Sequence, residues 1–141
     1  MGRWALLEEV AIADCAMEVE GATLDDLFAT AARAVAEVMV DPATVRASVE
    51  RTVTLTAPSL DLLLHDWLSE LLFLKDSERL VFPTVRTRVE PGPPCFLAAS
   101  LLGGPITAET AGRADPKAVT LHMLAVERVE GGWRARLVLD I

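Results

Sequence analysis

Apolar and polar residues alternate from Asp14 to Gly21, with Cys15, Met17 and Val19 on one side and Asp14, Glu18 and Glu20 on the other. A period of two predicts a half-buried strand. The period then changes. Leu24, Leu27, Phe28, Ala31, Val35, Val38 and Met39 recur at spacings of three and four, the apolar stripe of a helix. Thr23 starts that helix, with Asp26 three residues on in an approximate capping box, and Asp25 and Asp26 suit the positive end of its dipole. Asp41-Pro42 closes it, because a residue before proline avoids the helical region. Val45 to Thr56 returns to alternation, Val49, Val53 and Leu55 against Ser48, Glu50, Thr52 and Thr54, which predicts a strand with one wet face. Ser59 caps a second helix. Its core stripe is Leu60, Leu63, Leu64, Trp67, Leu68, Leu71 and Leu72, with His65, Asp66, Ser69 and Glu70 on the flank.

Leu80 to Val89 reads as a third strand, Pro91-Gly92-Pro93-Pro94 as a turn, and Cys95 to Leu102 as a short apolar fourth strand. Gly103 to Pro116 has no period and is expected to be one long mobile loop, of the kind that is often functional in a compact domain. Ala118 to Val126 and Trp133 to Ile141 are expected strands, joined by a hairpin at Glu130-Gly131-Gly132. The order of elements predicts an α+β two-layer sandwich, a mostly antiparallel sheet covered by two helices. A chain of 141 residues suits one domain, 1–141.

Composition narrows the function. Hydrophobic residues at 52% and charged residues at 24% describe a globular chain. A net charge of -8 repels phosphates, so no direct nucleic-acid binding is expected, and cations or a basic protein partner suit the surface better. Tyr is absent and aromatics are 5%, which argues against a base-stacking platform. Cys15 and Cys95 form no CxxC pair, which excludes a thiolate zinc site, and free thiols in a reducing cytosol are expected. Leu60 to Leu74 is interrupted by Asp61, His65, Asp66 and Glu70 and is shorter than the roughly 20 residues a bilayer needs. Glu8 and Glu9 interrupt any signal-peptide core. The expected location is cytoplasmic, with no membrane contact.

Two constellations could carry chemistry. Trp133, Ala135, Leu137, Leu139 and Ile141 share a face, so the C-terminus is expected to be docked, with Asp140 beside the Ile141 carboxylate. Adjacent carboxylates on a rigid strand repel unless a cation or donor lies between them. Asp14, Asp140 and the Ile141 carboxylate therefore form a candidate oxygen site for a hard cation. Surface acids of an acidic protein are the alternative, and spacing leaves both open. Lys117 and His122, with Asp66 or Glu70, could act as an acid/base group; a hydrogen-bonded structural His122 inside a strand is the other reading. Gly103-Gly104 and Gly131-Gly132 match no phosphate loop, and no Ser sits in a GxSxG elbow.

The sequence also resembles a known family over nearly its whole length, from Trp4 to Ile141. Ala13-Asp14-Cys15-Ala16-Met17 with Gly21, Thr23-Leu24-Asp25-Asp26-Leu27-Phe28, and Asp66-Trp67-Leu68-Ser69-Glu70-Leu71-Leu72 followed by Leu80-Val81-Phe82 match successive motifs of the archeases. So do Lys117-Ala118-Val119-Thr120-Leu121-His122 and the ending Gly132-Trp133-Arg134-Ala135-Arg136-Leu137-Val138-Leu139-Asp140-Ile141. The resemblance implies an α+β protein of strand–helix–strand–strand modules. It implies a non-enzymatic partner of an RtcB-type RNA-splicing ligase, promoting the step in which GTP donates GMP to a ligase histidine. It also implies a divalent metal ion, calcium first with magnesium or manganese as alternatives, held by Asp14, Asp140 and the Ile141 carboxylate. Asp66, Lys117 and His122 would then support the site. Other readings are a metal-dependent phosphoester hydrolase and a chaperone-like scaffold for a nucleic-acid-processing complex. The chain departs from the family pattern at Ala11 and Ile12, where His-Thr is usual, at Ala16 in place of Gly, and at Leu121 in place of Tyr.

Overall fold

A computed structural model describes residues 2–7 and 14–141. The capping residues act as the pattern predicts. Thr23 is extended and its side chain accepts the Asp26 amide, so α1 (Leu24–Met39) starts at the next residue. Val40 returns to extended backbone, and the Asp41 side chain then caps a short 3-10 turn at Pro42–Thr44. Ser59 accepts the Leu62 amide at the start of α2 (Leu60–Glu78), which ends where Arg79 turns left-handed at φ 54°.

The strands are β1 (Arg3–Leu7), β2 (Asp14–Gly21), β3 (Val49–Ala57), β4 (Leu80–Glu90), β5 (Cys95–Pro105), β6 (Ala118–Val119), β7 (Ala125–Val129) and β8 (Gly132–Asp140). Their ladders are antiparallel. The α+β class holds, but the strands divide into two sheets. One has the order β1-β2-β8-β6, with β7 also on β8, and the other has the order β3-β5-β4. Alternation along a strand reports which face is buried, not which strand it joins. Both helices pack against both sheets. Met17, Val19, Leu137 and Leu139 of one sheet and Leu97, Leu101 and Val85 of the other therefore belong to the same apolar core. Trp67 is wholly buried in it, and its Nε1 donates to the Phe28 carbonyl at 3.0 Å, tying α2 to α1.

The acids in the first turns do more than meet a dipole. Asp25 accepts the Val89 amide at 2.7 Å, and Asp61 accepts the Val126 amide at 2.7 Å. Each helix start is thereby fastened to a strand, β4 by α1 and β7 by α2.

Four sequence expectations need correction. The Val45 strand begins only at Val49, after the 3-10 turn. β5 continues through Gly103 and Gly104, where a Cβ would collide with the Val81 and Arg46 carbonyls; these glycines mark close backbone approach inside a sheet rather than its end. The segment after it is pinned rather than free. Ala111 and Met39 carbonyls accept the Asp41 and Arg113 amides, each at 2.8 Å, and the Arg113 guanidinium reaches the Glu37 carbonyl at 3.0 Å. Finally, the expected strand Ala118 to Val126 is interrupted. Val119 pairs with Leu139 and Ala125 with Arg136, so residues 120–124 stand opposite only Leu137 and Val138; Thr120 still donates its amide to the Val138 carbonyl at 2.9 Å, and 121–124 bulge away from β8.

Candidate functional site

Antiparallel pairing puts directly opposed residues on the same face of a sheet. Outward from the core, the β2–β8 ladder carries four successive pairs: Glu20 with Arg134, Glu18 with Arg136, Ala16 with Val138, and Asp14 with Asp140. The first two are opposite in charge. The Arg136 Nε donates to Glu18 at 2.8 Å, while Arg3 satisfies Glu20 and Arg134 reaches across to Glu127. Ala16 and Val138 are buried, at 2% and 1% exposure. The last pair sets two carboxylates against each other, with Cβ atoms about 4.5–5.5 Å apart by ladder geometry. Like charges directly opposed destabilise a ladder, so this end violates the rule its neighbours obey.

β6 closes the other flank of Asp140. Ala118 lies opposite Asp140, and the Lys117 amide donates to the Asp140 carbonyl at 2.6 Å. Lys117 is thus brought to the pair by its backbone. Ile141 follows the strand and is 42% exposed, so the core face of β8 stops at Leu139 rather than running through the last residue. Among the described residues no three His, Cys, Asp or Glu side chains come together in metal-holding range. Side chains supply two carboxylates here. An all-oxygen pair suits a hard cation such as Ca²⁺, Mg²⁺ or Mn²⁺ and not a soft one. Ala11 and Ile12, where the family pattern has His-Thr, lie outside the described residues.

Asp66 and His122 are not brought together. His122 lies in the turn after β6 and is exposed, with its amide bonded to the Thr120 hydroxyl at 3.2 Å, so it is not a strand histidine. Asp66 takes His65 instead. The His65 Nδ1 lies 3.1 Å from the Asp66 carboxylate, and its Nε2 lies 3.0 Å from the Val119 carbonyl. Asp66 therefore reaches β6 only through His65. In the bulge beyond, Met123 adopts φ 59°, and Leu121 is 66% exposed. A non-glycine residue held left-handed is strained backbone of the kind that collects at functional sites.

Lys75 did not figure among the sequence candidates. It is 6% exposed near the end of α2; its ammonium donates to the Asp115 carboxylate and to the Pro116 carbonyl at 2.6 Å, and forms an ion pair with Asp76 at 3.0 Å. Hydrogen bonding and charge from Lys75 hold the Asp115 carboxyl below the usual carboxylate range, with Lys117 and Arg79 adding to the effect. A signal was present: Lys75 follows Leu71 by four and Leu72 by three, a charge on the apolar stripe. A broad cavity of about 760 Å³ lies elsewhere, on the open face of the three-stranded sheet between Glu50, Thr52, Thr84, Arg86 and Ser100. No described helix is long and apolar enough to cross a membrane.

Residues 4–141 match the model of the archease protein family (MTH1598/TM1083). The protein archease of Archaeoglobus fulgidus is 36% identical over 92% of this chain and 93% of its own, and that of Methanothermobacter thermautotrophicus is 35% identical over the same shares. Among solved structures, Methanobacterium thermoautotrophicum protein 1598 superposes with a TM-score of 0.81 at 31% identity, covering 98% of both chains. A Thermotoga maritima protein, described as an archease and possible chaperone, superposes at 0.60 over 97% of this chain and 98% of its own; at 16% identity it shows the fold alone. With the match running from Trp4 through both aspartates to Ile141, the chain belongs to the archease family.

Proposed function

We propose that this protein is a non-enzymatic activator of an RtcB-type RNA-splicing ligase, and that the Asp14–Asp140 end of the β2–β8 ladder is the part that acts. The observation that carries the reading is the opposition of two carboxylates in a ladder whose other charged pairs are complementary. A divalent cation removes that conflict. Asp14 and Asp140 would hold it, with the Ile141 carboxylate as a further oxygen. When bound, it supplies a positive charge on an otherwise acidic surface.

The chain's own residues do the rest. β6 pairs with Asp140 from one side and β2 from the other, with Asp140 exposed and Asp14 half-buried, so the pair sits at the surface end of the ladder. That suits docking on a second protein better than enclosing a small substrate. The exposed Leu121 and Met123, next along from β6, offer apolar contact to the same partner. In the ligase, a histidine nitrogen attacks the α-phosphorus of GTP and pyrophosphate leaves. Docking would favour the nucleotide-competent state of the ligase by binding that state more tightly. The alternative is a chaperone-like scaffold, which would bind its partner whether or not the carboxylate pair is intact.

The test is GMP transfer to the cognate ligase with GTP and Mn²⁺, at substoichiometric amounts of this protein. The expected result is many ligase turnovers with the wild type and none above background with Asp14→Ala. Equal stimulation by Asp14→Ala would overturn the role of the carboxylates, and binding without stimulation would favour the scaffold.

A further inference from the structure

A buried ammonium is costly unless its donors are all used. Lys75 is 6% exposed, and the three groups around its ammonium, two hydrogen-bond acceptors and the ion-paired Asp76, are not clustered at random. Two of them, the Asp115 carboxylate and the Pro116 carbonyl, immediately precede Lys117. Lys117 in turn donates its amide to the Asp140 carbonyl, and Ala118 pairs with Asp140. From the same helix, His65 reaches the Val119 carbonyl. β6 is only Ala118–Val119, too short to hold itself to β8 by its own ladder, and helix α2 holds it from both ends.

We infer that Lys75 is a positioning residue for the carboxylate pair: by gripping Asp115 and Pro116 it seats Lys117 and β6 on β8, and so keeps Asp140 in register beside Asp14. The inference rests on the reading of Asp14 and Asp140 as a cation site. It assigns the charge on the apolar stripe of α2 a purpose at the surface end of the β2–β8 ladder. It also explains why the segment before β6 is tied down along its length instead of swinging free.

The experiment pairs two readouts on the whole protein. Calcium alone is titrated calorimetrically, with manganese in parallel, and amide exchange is followed at Lys117 and Thr120, whose N–H groups bond to β8. The variants are Lys75→Met, Lys75→Arg, Asp115→Asn and, as a control for general loss of stability, Val85→Ala in the core of the other sheet. Lys75→Met is expected to weaken calcium binding by about 10- to 100-fold, as supporting residues behind metal ligands do. It is also expected to speed exchange at Lys117 while unfolding stays cooperative. Lys75→Arg should recover part of both, Asp115→Asn should show a smaller loss, and Val85→Ala should change neither. Wild-type affinity and wild-type exchange in Lys75→Met would overturn the proposal. If the wild type itself binds neither cation, the cation site falls instead, and unchanged exchange in Lys75→Met would then refute the seating of β6 as well.

Discussion

At one end of the β2–β8 ladder Glu18 faces Arg136 and Glu20 faces Arg134; at the other Asp14 faces Asp140. The backbone pairing is the same throughout, and so is the face of the sheet. Only the charges differ. The complementary end looks after itself, each carboxylate matched by a guanidinium across the ladder or beside it. The like-charged end leaves two carboxylates facing each other, and the surrounding structure supports it, with β6 placed against Asp140 and α2 holding β6. On stability alone an arginine or lysine at position 14 or 140 would suit this ladder better, and the proposed cation site is the account of why two aspartates stand there.

The contrast can be broken or sharpened in several ways. The severest is to remove the common scaffold. Trp67→Ala should cost about 3–5 kcal/mol by leaving a cavity between α1 and α2, and both ends of the ladder should melt together in denaturant; separate transitions would mean that the two ends do not share one cooperative unit. Next, Asp14→Asn or Asp140→Asn should lower calcium affinity beyond the roughly 100-fold that supporting residues reach, read by calorimetry, with the fold intact by circular dichroism. At the complementary end, Arg136→Glu should copy the like-charged arrangement against Glu18. There it should cost roughly 0.5–1 kcal/mol, since the pair is partly exposed, and leave calcium binding unchanged; new calcium binding at that end would show that opposed carboxylates alone make the site. The smallest effect is acid loosening of the segment before β6. The Asp115 carboxyl is held low by Lys75, so its contribution is complete above the ordinary Asp range of about 3.9. It should be lost as pH falls through the lowered value. Exchange at the Lys117 amide should therefore quicken only below about pH 4.

Much of this was legible in the residues. Thr23 and Ser59 cap the helices where the pattern predicts, and the alternation of Asp14 to Gly21 set Asp14 on the outer face with Glu18 and Glu20. The pairing of Asp14 with Asp140 was not legible, because register between strands far apart in sequence leaves no local trace. For the same reason one expected sheet is two. β1 escaped notice because it rests on its partner β2 rather than on an alternating pattern of its own. Val119, Leu121 and Met123 alternate like strand residues, and the jump in register on β8 with the left-handed backbone at Met123 reveals that the strand is interrupted and His122 expelled. His65 rather than His122 became the partner of Asp66 because α2 lies against β6 and the flank of its apolar stripe meets the Val119 carbonyl.

The most direct test of the like-charged end is thermal unfolding of the wild type and Asp140→Lys, each with and without calcium. Without the cation Asp140→Lys should be the more stable by roughly 0.2–1 kcal/mol, because it converts the opposed carboxylates into a complementary pair. With calcium at about 100 times its dissociation constant the wild type should gain about 2.7 kcal/mol and the order should reverse, Asp140→Lys staying where it was. If calcium moves neither protein, or moves both equally, the Asp14–Asp140 end is not a cation site.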